Sequence, residues 1–209
     1  PHPDSKAVLV EANAIFVADL LGFGINLQRT YRQNYAFDPR NSSIAQVRAD
    51  KSGVVLEVSA HFASASLINN AGVVPPVVPL SQSRPADLAL ALRVGLEAPM
   101  ALCAAFLGAT ESWGLPRKVL NISSGMGRSA MASQAGYCAA KAGMDHFTRC
   151  MALDEALKPH GAKVCSLAPG VIDTDMQVQL RGAANTAFPD QGRFAQLKEK
   201  GLLSSPQQA

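Results

Sequence analysis

The chain has 209 residues, 48% of them hydrophobic, which suffices for one domain with a sizeable core and is too short for two comfortable ones. Its formal net charge is only +3, and the basic residues lie singly along the chain, so nucleic acid binding is not supported. The four cysteines show no CxxC spacing and the four histidines no HxxxH or HExxH pattern, which argues against a metal site or a disulfide framework. We therefore expect reduced core cysteines in a cytoplasmic protein.

The N-terminal part of the chain shows few regular signals. The apolar stretch AIF precedes VADLLGFG, Val17 to Gly24, and a possible helix through Arg32, but a hydrophobic helix over 14–27 explains these residues equally well. The run VVLEVS at 54–59 predicts a strand. No basic segment followed by a short apolar block and a cleavage site is present at the start, so no secretory signal is expected.

From about residue 66, short apolar runs alternate with longer helical patterns. This alternation predicts a parallel sheet with crossover helices on both faces, an α/β doubly wound, Rossmann-like fold. The strands are expected at 66–69, 118–123 and 162–168, and the helices at 85–110 and 137–157.

The most apolar region, Leu88 to Ala109, is interrupted by Arg93, Glu97 and Pro99. A clean membrane span is therefore not expected. We interpret the region as a helix that is buried on most sides.

Each of the three strands is followed by small or polar residues with turn character. These are Asn69-Asn70-Ala71-Gly72, Ser123-Ser124-Gly125 and Pro169-Gly170. Ligands of open parallel sheets sit in the crevice beyond the carboxyl ends of the strands, so we expect the three endings to converge on one site.

Tyr137 and Lys141 are separated by one helical turn, so on a helix their side chains share a face. A nearby cation favours the phenolate and lowers the pKa of a tyrosine, so Lys141 could help Tyr137 to deliver a proton to a carbonyl oxygen. Ser124, at the end of its strand, could hydrogen-bond the same oxygen and fix its orientation.

The joint pattern NNAG, ISS, YxxxK and PGxxxT resembles the short-chain dehydrogenase/reductases, from about Ala65 onward. The resemblance implies that Tyr137 is the acid/base, that Lys141 lowers its pKa and holds the nicotinamide ribose, and that Ser124 positions the substrate carbonyl. It also implies cofactor contacts from the NNAG and PGVIDT segments. The residues concerned are Asn70, Ala71, Gly72, Pro169, Gly170, Ile172 and Thr174.

The tail narrows the resemblance. APGVIDTDMQ at 168–177 and AQLKEKGLL at 195–203 look like the sepiapterin reductase group and its bacterial relatives that reduce benzil and similar diketones. This implies NADP as cofactor and a small diketone or a pteridine side-chain ketone as substrate, with NAD not excluded. The loop from Gln177 to Gly192 is expected to be a mobile cover over the substrate.

The chain departs from the family pattern in several places. The glycine-rich TGxxxGxG turn is missing, and only Gly22 and Gly24 give weak matches to it. Gly95 stands where the family usually has an asparagine of the proton relay, and Asp50 or Glu57 are the available readers of a free ribose hydroxyl. We expect one domain over 1–209, divergent over 1–65, that is incomplete at the dinucleotide turn and at the last strand.

Two functions remain open on these grounds. The chain is either an NADP-dependent carbonyl reductase or a non-catalytic relative of the same fold that acts as an interaction or scaffold module. In both cases the apolar and small residues of the two long helices predict a homodimer or homotetramer. No metal, nucleic acid or membrane partner is expected.

Overall fold

The computed structural model describes residues 6–12, 44–50, 53–59, 62–112, 114 and 116–208. Gly22 and Gly24, the weak candidates for the glycine-rich turn, lie outside these residues.

A four-stranded parallel sheet organises the described residues. Its strands are β1 Lys6–Ala12, β4 Phe62–Asn69, β5 Arg117–Ile122 and β6 Lys163–Leu167, which lie side by side in this order. Asn69 of β4 lies opposite Asn121 of β5, which lies opposite Ser166 of β6. The register brings the carboxyl ends of the strands to one edge of the sheet, as predicted.

Two further strands form a separate antiparallel pair. They are β2 Ile44–Asp50 and β3 Gly53–Ser59, with Asp50 opposite Gly53. The predicted strand at 54–59 is therefore present, but it does not join the parallel sheet. Because β3 pairs with β2 and does not pair in parallel with β4, no crossover helix is needed between β3 and β4. This accounts for the short chain that connects them. Asp50 and Glu57 both lie in this hairpin.

A continuous helical run extends from Pro85 to Thr110, as predicted. It consists of α1 Pro85–Leu92, one π-helical turn at Arg93–Glu97, and α2 Ala98–Thr110. Pro85 begins the run because a proline at the first helical position gives up an N–H that would be unpaired there in any case.

The helical run is buried on one side, which corrects the expectation that it is buried on most sides. Val94, Leu102 and Phe106 face the core, whereas Leu90 and Met100 are exposed. An 18-residue window of this 26-residue run has a mean hydropathy of 1.6, and by length and composition alone the run could cross a membrane. The core helix of a globular protein has the same properties, and the inner face of this one packs on the sheet.

The second long helix, α3, spans Ala135–Ala156, close to the predicted 137–157. Its buried residues recur every three or four positions, which is the period of one helix face. Two shorter helices follow β6: α4 Asp175–Arg181 and α5 Gln191–Glu199. The buried face of α3 carries Tyr137, Ala140, Lys141, Met144, Asp145, Thr148, Met151 and Glu155.

Inside the core, a chain of polar side chains links two strands to α3. The amide of Asn69 donates to Asn121 Oδ1 at 2.7 Å, and the amide of Asn121 donates to Thr148 Oγ1 at 2.8 Å. Thr148 in turn donates to the backbone oxygen of Met144 at 2.7 Å. Buried amides need such partners, so the chain fixes β4, β5 and α3 relative to one another.

The four cysteines are free, and among them only Cys103 belongs to the core. Cys150 and Cys165 are exposed, which corrects the expectation of core cysteines. Cys165 lies on β6, where exposed residues alternate with half-buried ones. The side chains of β6 are thus more exposed to solvent than its apolar sequence suggested.

Candidate functional site

The three predicted strand endings meet at the carboxyl edge of the sheet. Gly72 follows β4, Ser124 follows β5 and Gly170 follows β6. A Cβ atom placed on Gly72 would lie 3.7 Å from the Nζ of Lys141, so the NNAG turn touches the lysine directly. The sequence therefore correctly predicted that these three segments lie at the carboxyl edge of the sheet.

Ser124 begins a short 3₁₀ turn, Gly125–Gly127, immediately after β5. Its Oγ accepts a hydrogen bond from the backbone N–H of Met126 at 3.2 Å, which fixes the orientation of the serine side chain. The Ser124 side chain lies near enough to the phenol of Tyr137 to influence the pKa of that phenol, so the turn adjoins α3.

The phenol of Tyr137 is buried, with 6% of the residue exposed. Burial raises its pKa above the ordinary value, and the nearby Ser124 hydroxyl only partly opposes that rise. The Lys141 Nζ lies 5.8 Å from the centre of the tyrosine ring. That Lys141 lowers the pKa of Tyr137 stays a prediction.

Lys141 is buried beside Tyr137, and its ammonium donates to the backbone oxygen of Ile122, the last residue of β5, at 2.7 Å. Burial lowers the pKa of Lys141 to about 8, although the negative charge of Asp145 opposes this change. The lysine thus forms a link between α3 and the strand that ends at Ser124.

In the NNAG turn, Asn70 is exposed, Ala71 is buried and Gly72 is half-buried. The preceding Asn69 is used in the core network described above. Asn70 and Gly72 therefore remain the members of the turn that an adjacent ligand could reach.

The PGVIDT segment turns through Gly170, whose φ of 89° is a conformation that favours glycine. Residues 171–173 then run parallel to Ser204. Asp173 N donates to Ser204 O at 2.9 Å, and Ser204 N donates to Val171 O at 3.0 Å. Neither bond uses the N–H or C=O of Ile172. Thr174 precedes α4 and is exposed, and its side chain makes no capping bond.

The segment from Gln177 to Gly192 contains more structure than a loop. Most of α4 lies within it, and α5 begins at Gln191. Leu180 and Phe188, with Phe194 of α5, form a small apolar cluster, and the two phenylalanine rings stack with their centres 5.7 Å apart. Val74, Val77, Met126 and Met131 pack against this cluster. The cluster anchors the predicted cover beside the Ser124 turn.

Gly95 lies in the π-helical turn and faces α3. A Cβ atom at this position would approach the Cβ of Ala140 to 2.9 Å, closer than two such atoms can lie. A side chain such as asparagine therefore does not fit here without a shift of the two helices.

Sequence reasoning missed three residues that hold the Ser124 turn. Asp145 is buried on α3, one turn beyond Lys141, and its Oδ2 lies 3.4 Å from the Nε of Arg128. Gly127 lies against the Lys141–Asp145 turn with no room for a Cβ atom. The available signal was the spacing YxxxKxxxD, which places a carboxylate on the same helix face as the tyrosine and the lysine.

A cavity of about 530 Å³ lies away from this site. It adjoins the starts of β5 and β6, at the opposite end of the sheet from Ser124. Among the residues that the structure describes, no group of His, Cys, Asp and Glu side chains could hold a metal ion.

Comparison with known proteins supports the assignment of the fold. A family model described as short chain dehydrogenase matches residues 47–185, so the match begins well before Ala65. Benzil reductase ((S)-benzoin forming) of Bacillus cereus is 40% identical over 147 residues, which cover 70% of this chain and 59% of that protein. Sepiapterin reductase of Xenopus tropicalis is 34% identical over 141 residues, 66% of this chain and 52% of that protein.

A solved structure with a similar fold is a putative 2-deoxy-D-gluconate 3-dehydrogenase from Agrobacterium tumefaciens with bound NADP. It is 26% identical and superposes with a TM-score of 0.57 over 70% of this chain and 56% of that one. The chain thus spans between about half and 60% of the length of these proteins. The sheet order, the converging strand ends and the family match agree, and the chain belongs to the short-chain dehydrogenase/reductase family of NAD(P)-dependent oxidoreductases.

Proposed function

We propose that the chain belongs to an NADP-dependent carbonyl reductase that converts a small diketone or a pteridine side-chain ketone to an alcohol. The observation that carries the proposal is the grouping of Ser124, Tyr137 and Lys141. The Ser124 side chain lies near the phenol, and the ammonium lies 5.8 Å from the centre of the phenol ring.

The raised pKa of Tyr137 supports a role in reduction. A buried phenol with a raised pKa stays protonated at neutral pH, which is the form that can give a proton to a carbonyl oxygen. Ser124 would donate a hydrogen bond to the same oxygen and hold it near the phenol. The positive charge of Lys141 would then stabilise the phenolate that remains after transfer.

Several features of the sheet edge fit a nicotinamide cofactor. Gly72 places no side chain between the NNAG turn and Lys141, and the bridge to Ser204 leaves the N–H and C=O of Ile172 unused. Lys141, Ile172 and the exposed Thr174 would hold the nicotinamide half, and Asn70 and Gly72 the adenosine side. The bound cofactor would supply a hydride to the carbonyl carbon, so that the ketone is reduced and the nicotinamide oxidised.

The choice of substrate and cofactor rests on the relatives. One relative is a benzil reductase, another is a sepiapterin reductase, and a structural neighbour holds NADP. The half-buried apolar side chains of Met126 and Met131, near the Ser124 turn, support an apolar carbonyl compound over a highly charged one.

We further propose a cytoplasmic homodimer or homotetramer that pairs through α2 and α3. Met100 of α2, Leu153 of α3 and Leu157, the residue directly after α3, are exposed, the last to 87%. Exposed apolar residues on neighbouring helices mark a contact surface. The exposed free thiols of Cys150 and Cys165 suit a reducing compartment.

A fluorescence titration with NADPH separates this proposal from the alternative of a non-catalytic scaffold. Micromolar binding and consumption of NADPH with a vicinal diketone or a pterin would support the reductase. Absence of binding at millimolar cofactor would favour the scaffold. The same substrate panel, assayed with NADH in parallel, determines the cofactor preference.

A further inference from the structure

The buried carboxylate of Asp145 joins three segments that meet at the candidate site. It lies on α3, accepts a hydrogen bond from the Ser166 hydroxyl of β6, and faces the guanidinium of Arg128 at 3.4 Å. Its side chain is only 6% exposed. A buried carboxylate is costly unless it is paired, so this position is specified by the groups around it.

Arg128 transmits this contact to Ser124 through a short hydrogen-bonded turn. The backbone N–H of Arg128 donates to Gly125 O at 3.0 Å, and that of Gly127 donates to Ser124 O at 3.0 Å. Because each residue of the turn is bonded to an earlier one, a shift of Arg128 moves the turn that begins at Ser124.

The turn also rests directly on α3. A Cβ atom at Gly127 would lie 2.9 Å from the backbone oxygen of Lys141 and 3.1 Å from Asp145 Oδ2. The ion pair between Arg128 and Asp145 therefore presses the turn against the part of the helix that carries Lys141.

We propose that Asp145 is a positioning residue, which holds the Ser124 turn on the Lys141 turn of α3 through Arg128 and Ser166. This inference rests on the proposed reductase function, because it assigns Asp145 a role in aligning the three residues of that site. Asp145 itself touches none of the reacting atoms.

The charges around the site agree with this role. Burial opposes ionisation of Asp145, but the hydroxyls of Ser166 and Ser123 and the charge of Arg128 hold its pKa below the ordinary value. Asp145 in turn opposes the lowering of the Lys141 pKa by burial. Lys141 also faces Tyr137 from its own helix, the Ile122 carbonyl from β5 and Gly72 from the turn after β4.

The test compares Asp145→Asn with Asp154→Asn, an exposed carboxylate on the same helix. The carboxamide keeps the shape of the side chain but loses its charge. We expect Asp145→Asn to lower kcat about tenfold, with KM for NADPH and ketone changed less than about twofold. Asp154→Asn should behave as the unmodified protein.

A second measurement tests the geometry of the site without an activity assay. The side-chain NMR signal of Lys141 in isotope-labelled protein, assigned from its loss in Lys141→Arg, should titrate near pH 8 and at a lower pH in Asp145→Asn. Unchanged kcat together with an unchanged titration would overturn the proposal. An inactive unmodified chain would overturn the reductase function instead, and the titration would still decide whether Asp145 acts on Lys141.

Arg128 provides variants that keep the fold even if Asp145→Asn does not, because its side chain is 55% exposed. Arg128→Ala should lower kcat, as Asp145→Asn does. Arg128→Lys should retain most of the kcat that Arg128→Ala loses. In the double variant the two losses should not add. An Arg128→Ala protein with full kcat would overturn the proposal.

Discussion

The ammonium of Lys141 donates a hydrogen bond to the backbone oxygen of Ile122 at 2.7 Å, so the end of β5 and the middle of α3 are joined inside the site. Ser124 lies only two residues after Ile122 in the sequence, and Tyr137 lies one helical turn before Lys141. This bond therefore relates the positions of all three predicted catalytic residues.

The burial of Lys141 predicts a specific pH dependence of stability. Its pKa is lowered to about 8 in the folded protein and is near its ordinary 10.5 in the unfolded chain. Between these values the unfolded chain binds a proton that the folded one has lost, so stability rises with pH. The free energy of unfolding should increase by up to about 3 kcal/mol over this window.

Urea unfolding at neutral pH and at pH of about 10 measures this increase. The Lys141→Met variant is the control, because without the amine this contribution should disappear from the difference between the two conditions. Equal pH dependence of the two proteins would contradict the prediction.

Tyr137→Phe should remove reductase activity and leave NADPH affinity nearly intact. The phenol acts in proton transfer, whereas Lys141 and the backbone of Ile172 are expected to make the contacts to the cofactor. Steady-state assays and a fluorescence titration on the same preparation measure the two quantities. A variant that keeps its turnover would eliminate this mechanism.

Gly95→Ala should lower the free energy of unfolding by about 1–2 kcal/mol, because the new methyl group would meet the Cβ of Ala140. Gly108→Ala is a matched control on α2. No atom lies within 4 Å of a Cβ placed there, so this substitution should stabilise by up to about 1 kcal/mol through helix propensity. Thermal unfolding of the two variants should therefore shift in opposite directions.

The two asparagines of the NNAG turn should differ sharply in how much stability is lost when each is replaced by alanine. Asn69→Ala removes a buried donor to Asn121 and should cost about 2–3 kcal/mol of stability. Asn70 is exposed, and Asn70→Ala should stay within about 0.5 kcal/mol. Chemical unfolding measures both, and similar losses would contradict the network described for the core.

The proposed oligomer should depend on the exposed face of α3. Leu153→Lys places a charge in that face and should shift the sedimentation profile toward the monomer. Leu202→Lys changes an equally apolar residue, 62% exposed, that lies outside the two helices and should have no effect. A monomeric profile of the unmodified chain would contradict the proposal itself.

The sequence predicted three strands and the two long helices from 66 onward to within a few residues, because apolar periodicity and the Pro85 signal are local features. It missed α4 and α5, because it assigned a loop to 177–192. It also brought Gly72, Ser124, Tyr137 and Lys141 to one edge, since parallel strands share their carboxyl ends. The antiparallel pairing of β2 with β3 was not predicted, because periodicity shows that a strand exists and does not show its partner.

Other features depended on contacts between distant residues. The raised pKa of Tyr137 follows from its burial, whereas the sequence showed only the neighbouring lysine. Asp145 and Arg128 are 17 positions apart in the sequence and meet only because the Ser124 turn folds back on α3. The π-helical turn around Gly95 likewise reflects the close approach of α3.

The cluster of Leu180, Phe188 and Phe194 has a consequence for how the covering segment would open. Phe188 is fully buried, and exposing each of these large side chains to water costs about 1.5–3 kcal/mol. The segment is therefore expected to move as one rigid unit in a single cooperative step. The rate of product release would then depend on how closely these rings pack.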